Sequence, residues 1–191
     1  PQELFDQQYP APGAPVAVQQ ISRGMTVPPV GLDREEWGFD HGTWSVLKPM
    51  FPKADIPVVQ LSMDYSRPPS EHYALGQQLQ KLRERGVLIV GSGLSYHNLR
   101  LFGPAGRAPS QAFDGWLQTT MGAAPAQREA QLLQWASAPS ARTAHPREEH
   151  LLPLMVAVGA AFDEESTCVY HEEGVFGGVT ASSFRLGAVP Q

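Results

Sequence analysis

The chain has 191 residues, with 14 Lys and Arg against 19 Asp and Glu for a formal net charge of −5, and its basic residues are scattered, which argues against a nucleic-acid partner. No apolar run approaches the roughly 20 residues of a bilayer-crossing helix, so no membrane partner is expected. The one cysteine, Cys168, excludes an internal disulfide or a thiolate cluster. A reduced, cytoplasmic setting is expected, with His and carboxylate as the only available metal ligands.

With 18 Pro and 18 Gly spread as punctuation between periodic segments, the chain reads as a single domain, 1–191, around one substantial core. It opens on Pro1 rather than Met, from which a fragment missing its N-terminal segment is expected. The turn-rich YPAPGAP (Tyr9 to Pro15) leads into a predicted helix over 15–21, and 37–44 reads as a tight polar and aromatic loop containing Asp40 and His41. Residues 56–61 are β-formers that predict a buried strand. After them Ser70 can cap a helix with Leu75, Leu79 and Leu82 on one face, basic residues in its last turn and Gly86 as its stop. A second buried strand is predicted at 87–90, and strand, helix, strand in that order favours a parallel pairing. Helices follow at about 111–120 and 126–136, then one from Pro146 to about Ala161 with Leu151, Leu154, Met155 and Val158 as its buried stripe. Two strands near 167–170 and 182–186, joined through glycine-rich 174–178, complete the chain.

The chemistry-bearing stretch is GVLIVGSGLSYHNLR, which runs from an apolar segment into a glycine turn and presents His97. Two familiar readings of that turn fail on spelling. Tyr96 stands where a dinucleotide fingerprint needs its third glycine, and His97 stands where a nucleophile elbow needs its last one. What remains is a loop at the carboxyl end of a strand, where open α/β sheets build their sites. Asn98 reads as a tie for the loop backbone, and Ser95 has no general base close in sequence.

His145 and His150 are five residues apart, which on a helix separates them by about 140° at 3.6 residues per turn. HPREEH is therefore no zinc pair of the HExxH kind. His150 begins the apolar face, whereas His145 precedes Pro146 at the helix entrance, which makes His150 the stronger candidate. His41 lies among Trp37, Phe39 and Trp44, a surround that suits either a pocket for a flat ligand or ordinary packing. His72 and His171 read as surface positions.

GSGLSYHNLR, HPREEHLLPLMVAVGAA, GFDHGTW, YPAPGAP and ADIPVVQLSMD, five collinear blocks, together resemble the class III extradiol ring-cleavage dioxygenases (the LigB-like superfamily), in the DOPA-4,5-dioxygenase-type branch, in a similarity that runs from Tyr9 to Gly187. The resemblance implies an α/β fold, a three-layer sandwich with a mixed, largely parallel central sheet flanked by helices, here without its N-terminal strands. It implies a non-haem Fe(II), or zinc in some members as isolated, and cleavage of a catechol-type ring by dioxygen to a ring-opened semialdehyde. By the same resemblance His97 is an acid/base and a metal ligand, His150 a metal ligand, and His41 a catalytic-site histidine that hydrogen-bonds substrate. Family members carry an HGSP-like block and an AHW-like histidine upstream of the YPAPG block. This chain starts too late to contain them, so weak metal binding is expected of it alone.

Three other readings stay open. They are a non-catalytic Memo-like binding protein on the same fold, a zinc hydrolase with a metal-bound water, and a fragment without activity.

Overall fold

The computed structural model describes residues 2–26, 29–33 and 37–188, and the chain divides into two compact units, 1–62 and 63–191.

The first unit holds the helices α1 (Gln2–Phe5), α2 (Pro15–Gly24) and α3 (His41–Met50). Neither α2 nor α3 has a buried residue, and among the described residues the buried apolar side chains of this unit are Tyr9, Met25 and Ala54. Polar bonds do much of the joining: Tyr9 Oη donates to the Phe51 carbonyl at 3.0 Å, and Thr43 Oγ1 donates to Gln60 Oε1 at 2.6 Å. The loop expected over 37–44 is a helix from His41 onward. Asp40 starts it as N-cap, its Oδ1 accepting from the Thr43 amide at 2.9 Å, which satisfies one of the orphan donors of the first turn.

The second unit carries the core. It runs α4 (Pro69–Arg83), α5 (Arg107–Met121), α6 (Pro125–Leu133), α7 (Ala141–Ala144), α8 (Leu152–Ala161) and a hairpin of β1 (Ser166–Val175) and β2 (Val179–Leu186), with short 3-10 turns between. Tyr73, Phe113, Leu117, Met121, Leu132, Trp135, Met155 and Val158 form one buried cluster, each such apolar side chain stabilising by roughly 1.5–3 kcal/mol when fully removed from water. Helix α8 is apolar all round, as a helix enclosed by its neighbours must be. It meets α4 closely: a Cβ on Gly76 would stand 2.1 Å from the Val156 carbonyl, and one on Gly159 would stand 2.1 Å from that of Tyr73. Only hydrogen at both positions permits this crossing. Arg128, fully buried, ties two turns of chain together by donating from Nη2 to the Glu164 carbonyl at 2.7 Å and from Nη1 to the Met121 carbonyl at 3.4 Å.

The helices expected at 111–120 and 126–136, and the late hairpin, are present within a few residues, and Gly86 stops α4 with φ at +80°. Three expectations need correction. Helix α4 is entered through Pro68 without a side-chain cap. The helix expected from Pro146 starts only at Leu152, because 146–151 form turns. Among the described residues the only ladder is the antiparallel β1–β2 pair, with a single parallel bridge between Gly13 and Val58. Segments 56–61 and 87–90 join no ladder, and Val87, Leu88 and Val90 are 40%, 67% and 41% exposed. A strand is a relation between two segments, so β-forming composition without a paired neighbour leaves an unladdered stretch. No helix among the described residues is long and apolar enough to cross a membrane.

Candidate functional site

Two of the three histidines singled out in the sequence meet in the second unit. The rings of His97 and His150 stack with centroids 3.4 Å apart and planes 17° from parallel, both half-buried. Gly93 makes the approach possible, since a Cβ there would stand 2.2 Å from the His150 carbonyl. The glycine turn that spells neither a nucleotide fingerprint nor a nucleophile elbow is thus a close-packing device. It lets the loop before His97 run against the turn that holds His150. His150 belongs to that turn rather than to the first turn of α8.

The loop is fastened from several sides. The His97 amide donates to the Ala144 carbonyl at 3.0 Å. Asn98 does the tying expected of it, donating from Nδ2 to the Thr143 carbonyl at 2.7 Å and accepting from the Arg100 amide at 3.1 Å. Ser95 Oγ accepts from the Ser182 amide of β2 at 2.9 Å, so this hydroxyl is a structural acceptor. Tyr96, buried, donates to the Leu101 carbonyl at 3.2 Å, and its burial raises the phenol's pKa.

His145, which the sequence places at a helix entrance, is fully enclosed. Its Nε2 lies 3.0 Å from the Ser95 carbonyl, and its ring stands edge-on to Phe113 and Trp135. Burial is the main cause that pushes its pKa down to about 4, and the nearby His97 and His150 act in the same direction. It is a neutral imidazole at pH 7.

His72 is likewise buried, on α4, with Nδ1 3.1 Å from the Pro68 carbonyl. His171 is half-exposed and engaged, its Nδ1 3.3 Å from Asp114 Oδ2 and 3.1 Å from Ser182 Oγ. Gln118 Nε2 also reaches Nδ1, at 3.0 Å, and Glu173 Oε1 stands 3.7 Å from Nε2. A nucleophile relay needs the hydroxyl bonded to one nitrogen and a carboxylate bonded to the other, and 3.7 Å is beyond hydrogen-bonding distance, so this cluster is not arranged as a hydrolase triad.

His41 belongs to the first unit, where it is exposed and opens α3. Asp40 is committed to capping that helix, and Trp37 is 80% exposed, so the aromatic residues here form no closed core.

Neutral imidazole is a suitable donor for Fe(II) or Zn(II), and His97 and His150 supply two such rings. Among the described residues no group of three or more His, Cys, Asp or Glu side chains could hold a metal ion. Each ring's lone pairs lie in its own plane, and the two planes are 17° from parallel with centroids 3.4 Å apart, so the lone pairs do not converge on one point between the rings and an ion shared by both requires one of them to turn. The donor type fits, while the donor number among the described residues falls short of a complete centre.

The family model and the curated relatives agree on one family. A family model described as the catalytic LigB subunit of aromatic ring-opening dioxygenase matches residues 2–187. The chain is 36% identical over 191 residues to a protein named 4,5-DOPA dioxygenase extradiol from Escherichia coli (strain K12), covering 98% of this chain and 70% of that protein. It is 37% identical over 192 residues to the protein of the same name from Beta vulgaris, covering 97% and 70%. Among solved structures it resembles that of an uncharacterized protein, JW3007, from Escherichia coli K12, with a TM-score of 0.84, 34% identity, and coverage of 95% of this chain and 76% of that one. On this match the mixed helix-and-strand chain with the stacked His97–His150 pair belongs to the family of the catalytic LigB subunit of aromatic ring-opening dioxygenases, an extradiol enzyme family.

Proposed function

We propose that the protein cleaves a catechol-type ring beside its two hydroxyls with dioxygen, giving a ring-opened semialdehyde, and that the His97–His150 pair lies at the reacting centre. The observation that carries this reading is the stacking of two imidazoles delivered by two separate sequence blocks. The relatives' printed names point to DOPA as one catechol to try. One family model running from residue 2 to 187 supports treating both units as one catalytic domain. In fold we propose the three-layer arrangement around a mixed sheet.

Ferrous iron is the metal proposed, with His150 among its ligands; when bound it would relay electrons from the catechol to dioxygen, which a closed-shell catechol passes only slowly by itself. A ring nitrogen that holds an ion cannot lend the same lone pair to a proton. The two roles implied for His97 therefore compete, and we assign His150 the ligand role and His97 the proton. The His97 imidazole takes a proton from a ring hydroxyl and returns it to the product, the acid/base role that histidine most often fills. For His41 we propose hydrogen bonding to substrate.

The test is oxygen uptake by Fe(II)-reconstituted protein with DOPA, protocatechuate and catechol. Uptake matched by a yellow ring-opened product is expected, and a filled metal site with no uptake would overturn the reading. His97→Gln should lower turnover by about 10²–10⁴-fold, the usual contribution of a proton carrier, while leaving the iron content intact. Loss of iron in that variant would make His97 a ligand instead, and His41→Gln should raise KM more than it lowers kcat.

A further inference from the structure

The loop carrying His97 is bonded along one side by three consecutive residues. Thr143 and Ala144 use their carbonyls, accepting from Asn98 Nδ2 and the His97 amide. His145 uses its side chain, with Nε2 3.0 Å from the Ser95 carbonyl. A carbonyl only accepts, so Nε2 carries the hydrogen and Nδ1 is bare; Nδ1 is buried and has no hydrogen-bond partner. The ring sits at 5.0 Å from Phe113 and 5.9 Å from Trp135, centroid to centroid, at angles of 66° and 87°. An apolar side chain would fill that box without burying an unsatisfied nitrogen, a defect that costs about 1–3 kcal/mol. What imidazole adds there is one N–H aimed at Ser95, two residues before His97.

We propose that His145 is the positioning residue of the His97 loop: its Nε2–H to the Ser95 carbonyl sets the loop height at which the His97 ring lies face to face with His150. The proposal rests on the reading of that pair as the reacting centre and adds to it the group that aligns the pair. Backbone bonds at 143 and 144 hold the loop to the segment, and the His145 bond sets its distance. Phenylalanine would fill the box and lose the bond. Glutamine would keep a donor close to the place of Nε2, whereas asparagine stops short of it.

The experiment compares the full chain with His145→Phe, His145→Gln and His145→Asn variants by two readouts. The first is the imidazole proton spectrum of the metal-free protein, in which the stacked rings of His97 and His150 shift each other's protons upfield. That shift is expected to persist in His145→Gln and to collapse in His145→Phe and His145→Asn. The second is steady-state turnover, where kcat should fall by about tenfold to a hundredfold in the Phe and Asn variants, with KM unchanged, and should return in His145→Gln. Persistence of the shift in His145→Phe, or equal loss in all three variants, would overturn the proposal. Should the Phe variant fail to fold, the Asn–Gln pair decides by the same signal. A His97→Ala variant with full turnover would sink the reading of the reacting centre, and the ring signal would still decide whether His145 positions the loop.

Discussion

The two histidine-bearing regions rest on different kinds of support. His97 and His150 sit at the rim of a cluster that includes fully enclosed Phe113, Leu132 and Met155, and their loop is tied to residues far along the chain at 143–145 and 182. His41 opens a helix without a single buried residue, in a unit joined largely by a few polar bonds. A ring that must hold its angle to a neighbour gains from dense packing, because interiors packed at crystal density transmit little slack. A side chain whose task is to meet an arriving ligand can tolerate a lighter scaffold. The contrast is one of packing, dense around the His97 loop and light around His41.

The contrast should break most visibly at Phe113. Its replacement by Ala removes a fully buried ring that also flanks His145, and a loss of about 3–5 kcal/mol is expected in denaturant unfolding. Acid should sharpen the comparison next. His145 titrates near 6.5 when unfolded and at about 4 when folded, so the unfolded chain takes up its proton first as the pH falls. The stability this neutral ring preserves is complete above pH 6.5 and is lost progressively down to about pH 4, by roughly 3 kcal/mol. His145→Gln should flatten that part of the pH–stability curve, and an unchanged slope would show that other groups set it. The smallest effect belongs to the first unit. Asp40→Ala removes the cap of α3 and should cost about 1 kcal/mol, read as a change in helix content confined to that unit.

Much of the second unit is legible in the sequence because its cues are local. The stop at Gly86, the apolar faces of α4 and α5, and the glycine-rich bend between β1 and β2 all act within one or two turns of chain. Segments 56–61 and 87–90 carry equally plain β composition and join no ladder, since pairing depends on a partner that local composition does not describe. The loop expected around His41 is a helix that Asp40 caps, a signal present in the sequence that the polar and aromatic character of 37–44 obscures.

The meeting of His97 with His150 follows from the two motif blocks together; neither block's spacing contains it. The burial of His145 has no local signal in the sequence. A histidine before a proline reads as a surface entrance, and its enclosure depends on Phe113 and Trp135, which arrive from α5 and the turn after α6. His72 is similar, since its burial on α4 is decided by packing and not by its immediate neighbours.

The bond from the Ser182 amide to Ser95 Oγ also carries a consequence for the order of assembly. A ribosome delivers the His97 loop well before the hairpin that fastens it, and the segment at 143–145 comes in between. The partners for the loop therefore become available in order, the 143–145 segment first and β2 after it, and the loop cannot be closed before Ser182 has been made. A stall or cut between residues 145 and 182 would leave a product with its histidine loop only partly secured.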